Sequence, residues 1–238
     1  MSVKSLFSWV LVGNALAVVL ALVIYHHGGR DHFGERGFIT FLSTFQLLAI
    51  AWLSDKTAQI RRTSPKTDNR QSALLWRIIA WGFIFLAADE FLALHEVTDH
   101  FIHDIFNIQE TSLTDSIDDF IVLLYGIFGA WILWINRFEL KSHKQAIALL
   151  KRAFVLLFFM IVLDFLANGQ KLLELFLDPA AANTLQFHIY HLEDSLKVFI
   201  EALLIVAFYS IFRTVQSQQK RLEHSQRASQ PEQAFTHR

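Results

Sequence analysis

Residues 190–212 read YHLEDSLKVFIEALLIVAFYSIF, a segment whose second half is almost entirely apolar apart from Glu201. A helix needs about 20 mostly apolar residues to cross roughly 30 Å of hydrocarbon, and this segment is long enough to do so. Five further apolar segments lie near 5–25, 38–53, 74–95, 119–136 and 152–173. Segment 38–53 is short, and a short span can tilt, extend into its flanks or thin the bilayer locally. The sequence therefore predicts an all-α, polytopic integral membrane protein with a bundle of six transmembrane helices.

The composition agrees with this class. The chain is 53% hydrophobic and 18% charged, whereas soluble domains average about 45–50% apolar and about 25% charged residues. Cysteine is absent, which excludes disulfides, thiolate metal sites and cysteine nucleophiles. No phosphate-binding loop or nucleophile elbow occurs, and the basic loops are too short to indicate a nucleic-acid partner.

Charge is distributed unevenly between the two ends of the predicted bundle. All basic residues fall at the end that holds the N-terminus except Arg30, Arg36, Lys171 and Lys197. All histidines fall at the opposite end except His143, His224 and His237. By the positive-inside rule the basic end is cytoplasmic. We therefore expect an inner (plasma) membrane protein with both termini in the cytoplasm and an acidic, His-rich pocket that faces the extracytoplasmic side.

The chain is expected to form one domain. Residues 1–215 form the predicted transmembrane bundle, and residues 216–238 form a polar cytoplasmic tail, which we expect to be disordered. The segment Asp178–Asn183, DPAAAN, is interpreted as a turn between the last two spans. No internal repeat is visible, and the sequence does not indicate an oligomeric state.

The third span ends in a stripe of possible metal ligands. At about 100° per residue, Asp89, Glu96, His100 and His103 lie on one helical face, and imidazole with carboxylate suits zinc or iron. Further candidate ligands occur at the same end of the predicted bundle, and these are His188, His191 and Asp119. The sequence predicts a divalent transition metal at this site.

Ionisable residues also fall deep inside the predicted spans, where they are costly and usually functional. We assign candidate catalytic roles to the carboxyl groups of Asp89, Glu90, Asp164 and Glu201. Charge-pairing roles are assigned to Lys171, Lys197 and Asp194. Lys171 shares a helical face with Asp164, and Lys197 shares one with Asp194 and Glu201.

Three function classes remain open. The first is a divalent-metal-dependent membrane hydrolase acting on membrane lipid or a small amphiphilic substrate. Scattered His and Asp residues on two or three of the spans resemble those of the ceramidase and progestin-receptor type of membrane hydrolases. The sequence departs from that family in three respects: His188-x-x-His191 differs from its HxxxH element, six spans are predicted where the family has seven, and no Ser/His motif on an early span matches. The second is a proton- or cation-coupled transporter. The third is a non-catalytic membrane subunit that binds a ligand or assembles with a partner.

Overall fold

The computed structural model describes residues 1–29, 31–34, 37–63, 68–94, 97, 98, 101, 103, 105, 117–141, 143–168, 173, 174 and 176–229. Every regular element in these ranges is an α-helix. The helices are α1 (Val3–Gly28), α2 (Phe38–Thr63), α3 (Asp68–Leu92), α4 (Ile117–Ile135), α5 (Arg137–Leu140), α6 (Lys144–Asn168) and α7 (Pro179–Ser229).

Five of the described helices are long and apolar enough to cross a membrane, and these are α1, α2, α3, α6 and α7. The apolar part of α4, Phe120–Ile135, is shorter. The prediction of an all-helical chain with several apolar helices that could span a membrane is confirmed. Helix α2 continues ten residues beyond the predicted end at residue 53, so the short predicted span extends into its C-terminal flank.

The helix ends follow from local hydrogen bonds. The side chain of Ser2 accepts a bond from the Ser5 amide at the start of α1, and Gly29 adopts a left-handed conformation (φ 64°) just past its end. Asp178 Oδ1 accepts bonds from the amides of Ala180 and Ala181 at 3.1 and 3.0 Å. The DPAAAN segment is therefore the capped start of α7, with Pro179 as its first residue, and not the turn that its composition suggested.

The C-terminal residues also differ from expectation. Helix α7 continues to Ser229, so residues 216–229 prolong the last helix, where the sequence suggested a disordered tail. Gln, Lys, Arg and Glu are frequent in this stretch and are good helix formers. Residues 230–238 lie outside the described part of the chain.

Helix α7 is the centre of the packing, because it contacts α1, α2 and α6, while α2 also packs along α3 and α4 along α6. Two apolar clusters result. The large apolar cluster joins α2, α3, α6 and α7 around Ile50, Trp76, Leu149 and Val206. The small apolar cluster consists of Ala21, Phe33, Ile39 and Val198. Along α1 and α2, the polar side chains of Asn14, Ser43 and Gln46 lie between residues that belong to or pack against the two clusters.

Phe33, between α1 and α2, packs against α7. Phe33 is 1% exposed, and the centroid of its ring lies 4.7 Å from the ring centroid of His191. Gly37 has no room for a side chain, because a Cβ there would overlap the carbonyl of His32. This tight segment therefore covers the end of the bundle next to the small apolar cluster.

Candidate functional site: a buried acidic cluster

A lysine bridges two carboxylates between α3 and α7. Lys197 Nζ lies 3.0 Å from Glu90 Oε1 and 3.2 Å from Asp194 Oδ1. The three side chains are 24%, 15% and 8% exposed, respectively. Asp194 and Lys197 lie three residues apart on one helical face, so α7 itself brings them together. Glu90 reaches them from the last turn of α3 and connects that helix to α7.

Glu201 lies one turn further along α7. Its Oε1 accepts a 2.6 Å hydrogen bond from Ser43 Oγ of α2. Its Oε2 is buried and has no hydrogen-bond partner among the described residues. Asp89, next to Glu90, is also buried. We use the name acidic cluster for Glu90, Asp194, Lys197 and Glu201.

Two side-chain amides extend this polar layer to α1. Asn14 Nδ2 donates a 2.6 Å bond to the carbonyl oxygen of Val198, and Gln46 Nε2 donates a 2.9 Å bond to Asn14 Oδ1. Asn14 and Gln46 are both buried. Buried polar groups must find hydrogen-bond partners or lose stability, so these bonds fix the mutual positions of α1, α2 and α7.

His191 lies three residues before Asp194 on α7 and is surrounded by aromatic rings. The centroid of its ring lies 4.2 Å from the ring centroid of Phe187 and 5.3 Å from that of Tyr25. Nδ1 lies 2.8 Å from the carbonyl oxygen of Phe187, which favours the tautomer with the proton on Nδ1. Nε2 is buried without a hydrogen-bond partner among the described residues. In this tautomer Nε2 carries the lone pair.

The other candidate metal ligands are distributed as follows. His188 is exposed and His103 is buried. Glu96 and His100 lie outside the described residues, as do the side chains of Asp119 and Asp164 and the whole of Lys171. Within the described ranges, no group of three or more His, Asp or Glu residues could hold a metal ion. The sequence-based metal ligands therefore remain a prediction.

A second ionisable group of residues lies at the other end of the bundle and was not anticipated from the sequence. Arg61 of α2 forms a 2.6 Å ion pair with Glu139 of α5. His143, just before α6, is 4% exposed, and neither ring nitrogen has a hydrogen-bond partner among the described residues. Burial lowers the pKa of His143 below its ordinary value of 6.5; Glu139 opposes this effect and Arg61 adds to it.

Among known proteins, no curated protein and no solved structure matches the chain. Residues 11–212 match the family described as Domain of unknown function (DUF8692). The matched stretch contains all residues of the acidic cluster, together with Asn14, Ser43 and Gln46. Because the match covers most of the chain, the protein belongs to the DUF8692 family.

Proposed function

We propose that the protein is a proton- or cation-coupled transporter of the inner membrane, and that the acidic cluster binds the coupling ion. The ion pairs of Lys197 with Glu90 and Asp194 carry this proposal. Charged groups inside membrane helices are expensive and usually mark ion pathways, proton relays or substrate sites. Three such groups are in contact across α3 and α7.

The charge balance of the acidic cluster supports the same function. Glu90, Asp194 and Glu201 are three carboxyl groups, against the single ammonium group of Lys197. Buried ionic groups must be compensated, so this cluster requires further positive charge when its carboxyl groups are ionised. A proton or a metal cation supplies that charge, and its exchange with either side of the membrane constitutes transport.

The expected topology gives the cluster access to the extracytoplasmic side. We propose six spans, with α4 as the fourth, and both termini in the cytoplasm. Exposed basic residues such as Lys151 and Arg152 in α6 lie toward the proposed cytoplasmic end. The ion pair of Arg61 with Glu139 joins α2 to α5 at that end. The large apolar cluster lies between the two polar regions and would have to open for the ion to pass.

The test is ion flux in liposomes that contain the purified chain. An imposed pH or sodium gradient should drive proton movement, measured with an enclosed pH-sensitive dye. Lys197→Met should abolish the flux, whereas Lys151→Met, at an exposed position on α6, should leave it unchanged. Absence of flux in the wild type under both gradients would contradict transport.

A metal-dependent hydrolase acting on a lipid-like substrate is the second candidate, and the geometry of His191 favours it. A histidine that ligates a metal commonly donates its other ring N–H to a backbone carbonyl, as His191 Nδ1 is placed to do with Phe187. Elemental analysis of detergent-purified protein tests this candidate. We expect zinc or iron in the wild type and in His224→Ala, and its loss in His191→Ala; equal metal content in all three would exclude His191 as a ligand.

A further inference from the structure

Oxygen-bearing groups from α1, α2 and α7 form two neighbouring hydrogen-bonded sets, Ser43 with Glu201 and Asn14 with Gln46 and the Val198 carbonyl. Ser43 and Gln46 lie three residues apart on one face of α2, and Val198 and Glu201 are related in the same way on α7. The hydrogen bonds Ser43–Glu201 and Asn14–Val198 join these two faces, and Gln46 bonds to Asn14. We use the name oxygen cluster for the Glu201 carboxylate, the Ser43 hydroxyl, the Asn14 and Gln46 amide oxygens and the Val198 carbonyl.

We propose that the oxygen cluster binds a sodium ion, with Glu201 as the charged ligand and Ser43 and Gln46 as neutral ligands. Hard cations take carboxylate, hydroxyl, amide and backbone carbonyl oxygens as ligands, and the cluster offers all four kinds. The inference rests on the proposed function, because it names the ion that the acidic cluster couples to transport.

The buried and unpartnered Oε2 of Glu201 is the second observation that indicates a ligand. Glu201 is 5% exposed, and this oxygen finds no hydrogen-bond donor among the described residues. A buried acceptor left without a donor costs about 1–3 kcal/mol, and more when it is charged. A cation next to Oε2 removes this cost.

The charge of the oxygen cluster matches a monovalent ion. Its described members include a single carboxylate, Glu201, and one sodium ion neutralises that charge. Because Lys197 is held by Glu90 and Asp194, its ammonium group does not take the place of the cation.

The surroundings of the oxygen cluster suit a partly or fully dehydrated ion. Ser43 and Val198 are both 0% exposed. Val198 belongs to the small apolar cluster, whose Ala21, Phe33 and Ile39 side chains cover this side of the polar layer. Protein oxygens must therefore replace the water ligands of the ion, as they do in other membrane ion sites.

Protons should compete with sodium at the same carboxylate. The charged side chains that act on Glu201 are Glu90 of α3 and Lys197 of α7. The neighbouring groups from α1 and α2 are the neutral Asn14, Ser43 and Gln46. Acidification should consequently weaken sodium binding, because a protonated Glu201 offers no charge to the ion.

Binding of radioactive sodium to the detergent-purified full chain tests the proposal. We expect saturable binding in the wild type, an approximately tenfold loss of affinity in Ser43→Ala, equivalent to about 1.4 kcal/mol, and no binding in Glu201→Gln. Thr44→Ala is the matched control, because the Thr44 hydroxyl bonds to the Thr40 carbonyl instead, and it should bind like the wild type. Wild type without saturable binding, or undiminished binding in Glu201→Gln, would overturn the proposal.

A second measurement on the wild type does not depend on the folding of any variant. Dicyclohexylcarbodiimide adds to a protonated carboxyl group in an apolar site, and peptide mass spectrometry locates the adduct. Sodium chloride, but not choline chloride, should protect Glu201 from labelling. Equal labelling of Glu201 in both salts would overturn the sodium site and mean that it takes protons only.

The binding and flux measurements separate the sodium site from the proposed function. Sodium binding without flux in liposomes would reject transport and retain the site, whereas flux without sodium binding would reject the site and retain transport.

Discussion

Lys197 Nζ lies 3.0 Å from Glu90 Oε1, a contact that joins the last helix to the end of α3 across the polar layer of the bundle. The same nitrogen lies 3.2 Å from Asp194 Oδ1. One ammonium group therefore compensates two carboxylates that the chain supplies from widely separated positions. This arrangement makes the cluster sensitive to the loss of any single member.

Replacement of Lys197 by methionine should destabilise the protein. The substitution retains the apolar stem but leaves Glu90 and Asp194, which are 15% and 8% exposed, as neighbouring uncompensated acids. Removal of one partner of a fully buried ion pair typically costs about 3–5 kcal/mol, which is the upper bound for this partly exposed pair. Thermal unfolding in detergent, followed by size-exclusion chromatography, measures the change. The control variant Lys151→Met should unfold at the same temperature as the wild type. The double variant Lys197→Met, Glu90→Gln should recover part of the loss, and a double variant that is no more stable than Lys197→Met would contradict the pairing.

Replacement of Asn14 by leucine should loosen α1. The change removes the donor to the Val198 carbonyl and the acceptor of Gln46, and interhelical hydrogen bonds in membranes are worth about 0.6–2 kcal/mol. Unfolding in increasing denaturant measures the effect. Gly13→Ala is the control, since a Cβ there meets nothing within 4 Å, and it should be neutral or slightly stabilising. A fully stable Asn14→Leu would show that these bonds contribute nothing.

His143 should make stability depend on pH at the proposed cytoplasmic end. Because burial lowers its folded-state pKa, the unfolded chain binds more protons between that value and the ordinary value of 6.5. The contribution of neutral His143 to the free energy of unfolding is therefore fully present above about pH 6.5. It falls as the pH decreases toward the folded-state pKa, by at most about 1.4 kcal/mol per pH unit. The difference in melting temperature between wild type and His143→Phe measures this contribution.

His224→Phe, at an exposed position on α7, is the control for the pH series. Its pH profile should follow that of the wild type, whereas the profile of His143→Phe should be flatter below about pH 6.5. Identical slopes for wild type and His143→Phe would contradict a role for this ring in the pH dependence.

Helical periodicity and apolar length were sufficient to predict the all-helical chain and several helices that could span a membrane. The local pairing of Asp194 with Lys197 could be anticipated from their spacing. The contact with Glu90 could not, because the packing of α3 against the bundle determines which acid reaches Lys197. Asn14 was missed for the same reason: an amide in an apolar run does not reveal its partner, and the Val198 carbonyl is 184 positions away. The DPAAAN segment was misassigned because Asp and Pro favour both turns and helix starts.

Comparison of Glu201→Gln with Glu139→Gln in the liposome flux measurement asks whether the acidic cluster carries the ion. Both acids are hydrogen-bonded, Glu201 to Ser43 in the polar layer and Glu139 to Arg61 at the other end of the bundle. We predict ion-gradient-driven proton movement in the wild type, its loss in Glu201→Gln and its retention in Glu139→Gln. Movement at the wild-type rate in Glu201→Gln would contradict the claim that the buried acidic cluster carries the ion.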